Sequence, residues 1–309
     1  MILVVILYAL FGFTFTLGKL TLDYASPFFI VGTRMIIGGL GLMGFIYFRH
    51  RLQCYPARVD RWYYQQLIIF GIIIPYCSRA WALQYISTTK AALLFCLAPF
   101  FTALWAYFFA KEKLTFLKLT GLIIGFLGMI PVLVNGSSVE DSLGTLGFLS
   151  LPELAIIVAV GALSYSLIIM QQLVKNRGCP PYLANATSMF IGGLFALNLS
   201  FLVETNLIKT QTSLKPFIIL LGLQILISNI ICSNLQAYLL KHYSSTFMSF
   251  ASFLSPLCAA LYGAVLFNEK FTWHYLVSFI IVIIGLALYY YDDIYKQRKK
   301  THVGIADQT

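Results

Sequence analysis

Ten apolar runs, each close to the length a helix needs to cross a bilayer, constrain this chain more than any other feature. They cover residues 2–18, 28–48, 65–86, 88–110, 116–135, 152–174, 182–204, 216–239, 244–267 and 273–291. The hydrocarbon core is about 30 Å thick, and about 20 helical residues span it. No water satisfies the backbone there, so a spanning segment must be a helix or part of a closed barrel. Barrel strands would be short and alternating, whereas these runs are long and continuously apolar. Composition agrees: 60% of the residues are apolar or aromatic and 10% are charged, too little polar surface for a water-soluble chain of 309 residues. The sequence predicts an all-α polytopic membrane protein with ten transmembrane helices and no separate soluble domain.

The first run starts at residue 2, with no basic segment before it and no A-x-A-like site after it. It reads as a span and not as a secretory signal. Loop charge sets the orientation. With the N-terminus inside, fourteen Lys and Arg fall in inner loops and the tail, against Lys19, Lys209, Lys215 and Lys270 outside. Both termini are therefore expected in the cytoplasm, in what reads as a bacterial plasma membrane protein. The net charge of +10 is mostly this bias, and no nucleic-acid partner is expected. The six cysteines show no C-x-x-C spacing and lie far in sequence from the histidines, so no metal and no cofactor is expected.

The chain also repeats itself. "APFFTALWAYFFAKEKLT" at 98–115 and "SPLCAALYGAVLFNEKFT" at 255–272 share a proline, a glutamate thirteen residues on, and Lys-x-Thr. At an offset of 157, residues 83–128 match 240–285 at fourteen of forty-six positions, among them Pro99/Pro256, Glu112/Glu269, Thr115/Thr272 and Gly128/Gly285. Apolar bias alone does not generate that pattern. Two five-helix units follow, 2–135 and 152–292, with a basic cytoplasmic tail at 293–309. Because five is odd, the second unit enters the membrane from the opposite side. Inverted repeats of this kind build carriers whose halves rock about a site near mid-membrane. A purely structural duplication is the other reading.

With "SPFFIVGTRMIIGGL" at 26–40, these segments resemble the drug/metabolite transporter superfamily, and within it the ten-helix EamA-type transporters, over residues 2–292. The resemblance implies a central cavity lined by helices 1–4 and 6–9, with the fifth and tenth peripheral. It implies a small-molecule metabolite as cargo without saying which. The expected partners are that solute and the lipid bilayer, for a monomer or homodimer. Pro99 and Pro256 each remove one helical hydrogen bond and favour a bend. They read as hinges, or as bends that serve packing alone.

Three ionisable residues interrupt the apolar spans: Arg34, Arg79 and Lys90. From a rise of 1.5 Å per residue they lie about 9, 10 and 3 Å inside the outer surface. Facing lipid at mid-membrane, each would cost roughly 2.5–3.5 kcal/mol. No carboxylate lies mid-span; Asp23, Glu153 and Glu204 sit near the outer rim and would pair only by reaching inward. Arg34 fits the family pattern for the second helix, where a structural and a binding role are both open. Arg79 and Lys90 depart from it and read as contacts to an anionic group, since Arg clamps carboxylate or phosphate with paired bonds. Opposite them, Gln224, Ser228, Ser249 and Ser252, with the aromatic Phe15 and Tyr165, read as a cavity wall. Ser and Gln also serve helix contacts in membranes, which is the competing reading.

A carrier of an amino acid or amino-acid-derived solute fits these residues best. S-adenosylmethionine, taken up by some members that resemble this chain, has both a carboxylate and a flat ring. The spans hold no buried Asp or Glu, so a facilitator or exchanger is expected. A carrier of phosphorylated solutes is the alternative. A membrane-embedded enzyme is another, but its nearest acid pair, Asp292 and Asp293, reads as a helix end.

Overall fold

The computed structural model describes residues 2–50, 60–110, 116–128, 145–146, 149–209, 214–243 and 245–252, with single positions and short runs between 254 and 291. Helix α1 is Ile2–Leu22 and α2 is Pro27–His50. Helix α3 covers 61–82 as Arg61–Gln66, a π segment Leu67–Ile73, and Ile74–Ala82. Helix α4 covers 88–110 as Thr88–Leu94, a 3-10 turn Phe95–Leu97, and Ala98–Ala110. Helix α5 is Phe116–Leu127. Helix α6 is Leu151–Gln171 with a π end at Gln172–Asn176, and α7 is Pro181–Val203. Helix α8 is Leu214–Gln224, a π segment Ile225–Cys232, and Ser233–Leu239; α9 is described over Ser245–Ala251. The described positions between 254 and 291 are helical too.

Six of these helices are long and apolar enough to cross a membrane: Ile2–Leu22, Pro27–Phe48, Lys90–Phe109, Leu151–Asn176, Pro181–Val203 and Leu214–Leu239. Their outward faces carry large apolar side chains such as Phe108, Phe195 and Ile218, the reverse of a water-facing surface. Helix starts follow local chemistry. Proline opens α2 and stands in the first turns of α6 and α7, where its missing N–H costs nothing. Ser87 caps α4 by accepting from the Lys90 amide at 3.1 Å. The third apolar run was expected at 65–86, but α3 closes at Ala82. Residues 83–86 instead make short-range turn bonds that lead into the Ser87 cap.

The expectation of helix alone misses one element. Thr145–Leu146 pairs antiparallel with Leu149–Ser150, just before α6.

The tightest helix pair is α2 with α7, built from glycines. A β-carbon at Gly32 would lie 2.7 Å from the Leu197 amide nitrogen, and one at Gly39 2.8 Å from that of Phe190. Conversely, one at Gly193 would lie 2.8 Å from the Ile36 nitrogen. Rising numbers on α2 meet falling numbers on α7, so the two run antiparallel with their backbones nearly touching. Glu204, just past α7, completes the pair: its Oε1 and Oε2 accept from the amides of Phe28 and Phe29 at 2.8 and 3.1 Å. A carboxylate thus covers the exposed N–H groups and positive dipole end of α2.

The same end of the bundle is stitched further. Ser26 donates its amide to Leu207, Lys209 returns one to Tyr24, and Lys209 Nζ reaches the Leu22 carbonyl at 2.7 Å. Here Lys90, expected from sequence to meet an anionic solute group, finds a carboxylate of the chain itself. Its Nζ lies 2.6 Å from Glu153 Oε1, and both side chains are 2% exposed. Lys90 is in the first turn of α4 and Glu153 in the first turn of α6, and the fold brings those two helix starts together. Glu153 also accepts from the Ser150 amide at 2.7 Å. The lysine is therefore neutralised by a carboxylate, and a buried acid does stand in a span where the sequence reading expected none.

Candidate functional site

The central cavity, about 80 Å³, lies between α1, α3, α4, α6, α8 and α9. Aromatic rings supply much of its wall: Tyr8, Phe11 and Phe15 from α1, Tyr76 from α3 and Phe95 from α4. Hydroxyls and an amide supply the rest: Ser164 from α6, Gln236 from α8, Ser249 and Ser252 from the α9 segment, and Ser255 beyond it. Arg79 is the one charged side chain among the described lining residues. Its guanidinium carbon lies 5.0 Å from the Phe15 ring centroid and 5.1 Å from that of Tyr76. Two ring faces hold the cation without satisfying its hydrogen-bond donors in the plane, which leaves those donors for an acceptor in the cavity.

Local helix geometry makes this wall. Pro99 has no N–H for the Phe95 carbonyl, so the chain tightens into the 3-10 turn Phe95–Leu97, and the Ala98 amide bonds Phe95 instead. The Ala98 carbonyl then accepts from both Thr102 Oγ1 at 2.8 Å and Ser164 Oγ at 3.1 Å. Pro99 therefore distorts α4 directly beside the cavity. Pro256, its counterpart, lies outside the described residues. Thr102 Oγ1, its own proton given to Ala98, accepts from Ser249 Oγ at 2.9 Å, and Ser252 Oγ donates to the Ser249 carbonyl at 2.6 Å.

Hydrogen bonds cross the bundle near the cavity as well. Tyr8 donates its hydroxyl to the Met248 carbonyl, and Ser255 donates to the Tyr8 carbonyl at 2.9 Å. Gln171 at the end of α6 bonds Tyr243 and Ser245.

Of the residues singled out from sequence, Phe15, Arg79, Ser249 and Ser252 meet in this cavity. Arg34 and Gln224 meet in a smaller adjoining one of about 20 Å³, which shares Tyr76 and Arg79. Ser228 is buried but lines none of these cavities; its carbonyl accepts from Oγ of Ser233, just past the π segment of α8. Tyr165 lies apart from Phe15. It donates to Gln66 Oε1 at 2.9 Å and packs with Phe70, Trp105 and Phe109 on a separate, apolar cleft. Asn185 and Ser188 line a third cavity of about 50 Å³ with Gln236.

Sequence reasoning missed Tyr76 and Gln236. Tyr76 was findable, because it stands three residues before Arg79 and shares its helix face. Gln236 had no periodic partner to mark it.

The comparisons with known proteins agree with this architecture. Residues 1–134 and 151–291 match the EamA-like transporter family. An S-adenosylmethionine/S-adenosylhomocysteine transporter of Chlamydia muridarum is 30% identical over 91% of this chain and 88% of its own length. Its counterpart in Chlamydia trachomatis serovar D is 30% identical over 91% of this chain and 85% of its own. An uncharacterized inner membrane transporter of Escherichia coli, YedA, is 23% identical over 92% and 89%. A crystal structure superposes with a TM-score of 0.67 at 15% identity, covering 93% of this chain and 94% of that one, which shows a shared fold. The chain belongs to the EamA-like transporter family and is a multi-pass membrane transporter.

Proposed function

We propose that this protein carries a small carboxylate-bearing solute, of the S-adenosylmethionine type, by alternating access as a facilitator or exchanger. The observation that carries the reading is Arg79, a cation on the cavity wall between two ring faces, with hydroxyls and an amide opposite. A carboxylate would take the guanidinium donors, a flat ring would lie against Phe15 and Phe95, and polar edges would meet Ser249, Ser252 and Gln236. Aromatic faces also suit a sulfonium or ammonium group. The names of the Chlamydia relatives support that class.

A cavity of about 80 Å³ is too small for a nucleoside-sized solute, since such sites run to about 300 Å³ or more. Loading therefore requires the walls to part. The reading of ten helices in two inverted halves, with both termini in the cytoplasm, provides a way. It draws support from the antiparallel α2–α7 pair and from the π segments of α3 and α8, at 67–73 and 225–232, which nearly coincide at the 157-residue offset.

Uptake of labelled S-adenosylmethionine into proteoliposomes tests this. Saturable uptake is expected, and Arg79→Ala should lower it by about tenfold or more at equal membrane abundance, the loss of one charge-assisted contact. The carboxyl methyl ester should compete poorly. If the ester competes as well as the parent acid, or Arg79→Ala transports normally, the carboxylate reading is wrong.

A further inference from the structure

Arg34 poses a separate problem of charge. It is 2% exposed on α2, its Nε has no hydrogen-bond partner, and its guanidinium carbon lies 4.8 Å from the Tyr76 centroid. Arg79 lies 5.1 Å from the same centroid. Those two distances keep the two cations within about 10 Å of each other, where low-dielectric surroundings screen repulsion poorly. Among the described residues neither arginine forms an ion pair. Glu204 is occupied at the end of α2 by the Phe28 and Phe29 amides and the Ser200 hydroxyl. Glu153 is occupied by Lys90. An aromatic ring attracts a cation but leaves its net charge in place.

The small cavity beside Arg34 is lined by Gly18, Thr21, Tyr76, Arg79 and Gln224, among others. Its volume of about 20 Å³ suits a single water-sized particle. Gln224 is 2% exposed with Oε1 unpartnered, and rotation of the amide puts an NH₂ in that place. Donors and positive charge thus converge on a space too small for a metabolite. We propose that this cavity binds a monatomic anion, chloride in kind, as the counter-ion of Arg34. Arg34 is absent from the lining of the larger cavity, whereas Arg79 borders both. The anion and the solute carboxylate are therefore separate ligands, and the anion's binding does not depend on which solute is carried.

The test is thermal unfolding of the purified full-length protein in detergent, titrated from sodium gluconate into sodium chloride or bromide at constant ionic strength. A saturable rise in Tm of about 2–5 °C is expected for both halides. Arg34→Gln and Gln224→Leu should each remove it, and Lys175→Ala, at the far end of α6, should keep it. Should Arg34→Gln fail to fold, halide-dependent broadening of the ³⁵Cl resonance in the wild-type protein, relieved in Gln224→Leu, gives the same answer. The proposal is overturned if gluconate and chloride give equal Tm, or if the halide shift survives both substitutions. It is equally overturned if a saturating carboxylate solute abolishes the shift, because then solute and halide share one site.

Discussion

At the residue scale, what matters is how each buried charge is answered. Lys90 and Glu153 answer one another at 2.6 Å, and Arg79 rests on two rings. Removing one member of a buried ion pair strands the other, at a cost of about 3–5 kcal/mol, whereas replacing both with neutral groups of similar size is often close to neutral. Lys90→Met should therefore lower Tm and yield sharply, and Lys90→Met with Glu153→Gln should recover most of the loss. A double-mutant cycle on detergent Tm measures the coupling. The double variant should also still transport; a stable double variant without uptake would return Lys90 to solute contact. The three intramembrane cations were legible from sequence, because a charge stands out in an apolar run. The partner of Lys90 was not. Glu153 is 63 residues away and at the rim of another span, and only the packing of α4 on α6 shows that two helix starts share one end.

At the element scale, helix existence was legible and helix irregularity only partly so. Pro99 announced a distortion in α4 and the 3-10 turn appears beside it. The π segments of α3 and α8 carry no such mark: "LIIFGII" and "ILISNIIC" are ordinary apolar helix sequence. The α8 segment does carry a tertiary contact: Asn229 donates to the Arg34 carbonyl and to Met35 Sδ. Nor did the sequence mark which glycines bring helices together: backbone meets backbone between α2 and α7 at Gly32, Gly39 and Gly193. The α2 helix offers an internal control. Gly32→Ala would push a methyl group to 2.7 Å from backbone, whereas Gly41→Ala meets nothing within 4 Å. Gly32→Ala should destabilise by about 1–3 kcal/mol through overpacking, and Gly41→Ala should be neutral or mildly stabilising, since alanine is the better helix former. Detergent unfolding of the two variants side by side checks this, and equal Tm values would mean the α2–α7 contact yields without strain.

At the scale of the whole molecule, transport by alternating access requires that a closed end can open. One end is held by bonds between distant parts of the chain: Glu204 on the start of α2, Lys209 on Leu22, and a single antiparallel bridge between Ala25 and Ile208. Each bond is modest, at about 0.5–1.5 kcal/mol, with more for those involving a charge. In the proposed cycle such a set would close an end without locking it, and a solute of differing affinity for the two states would shift the balance. A covalent lock should stop the cycle. Bridged residues on antiparallel strands have Cα atoms about 4.5–5.5 Å apart, within the span a disulfide accepts. Cys77, Cys96, Cys179 and Cys232 are buried and Cys258 is partly so, and the single variants control for pairing of an introduced thiol with a native one. Ala25→Cys with Ile208→Cys, oxidised and verified by peptide mass, should transport at less than about a tenth of the reduced rate, because rigid-body opening is blocked. Reductant should restore uptake, and either single variant should be unaffected by oxidant. Full uptake by the cross-linked protein would show that this end never parts, and would remove alternating access between these two loops from the mechanism.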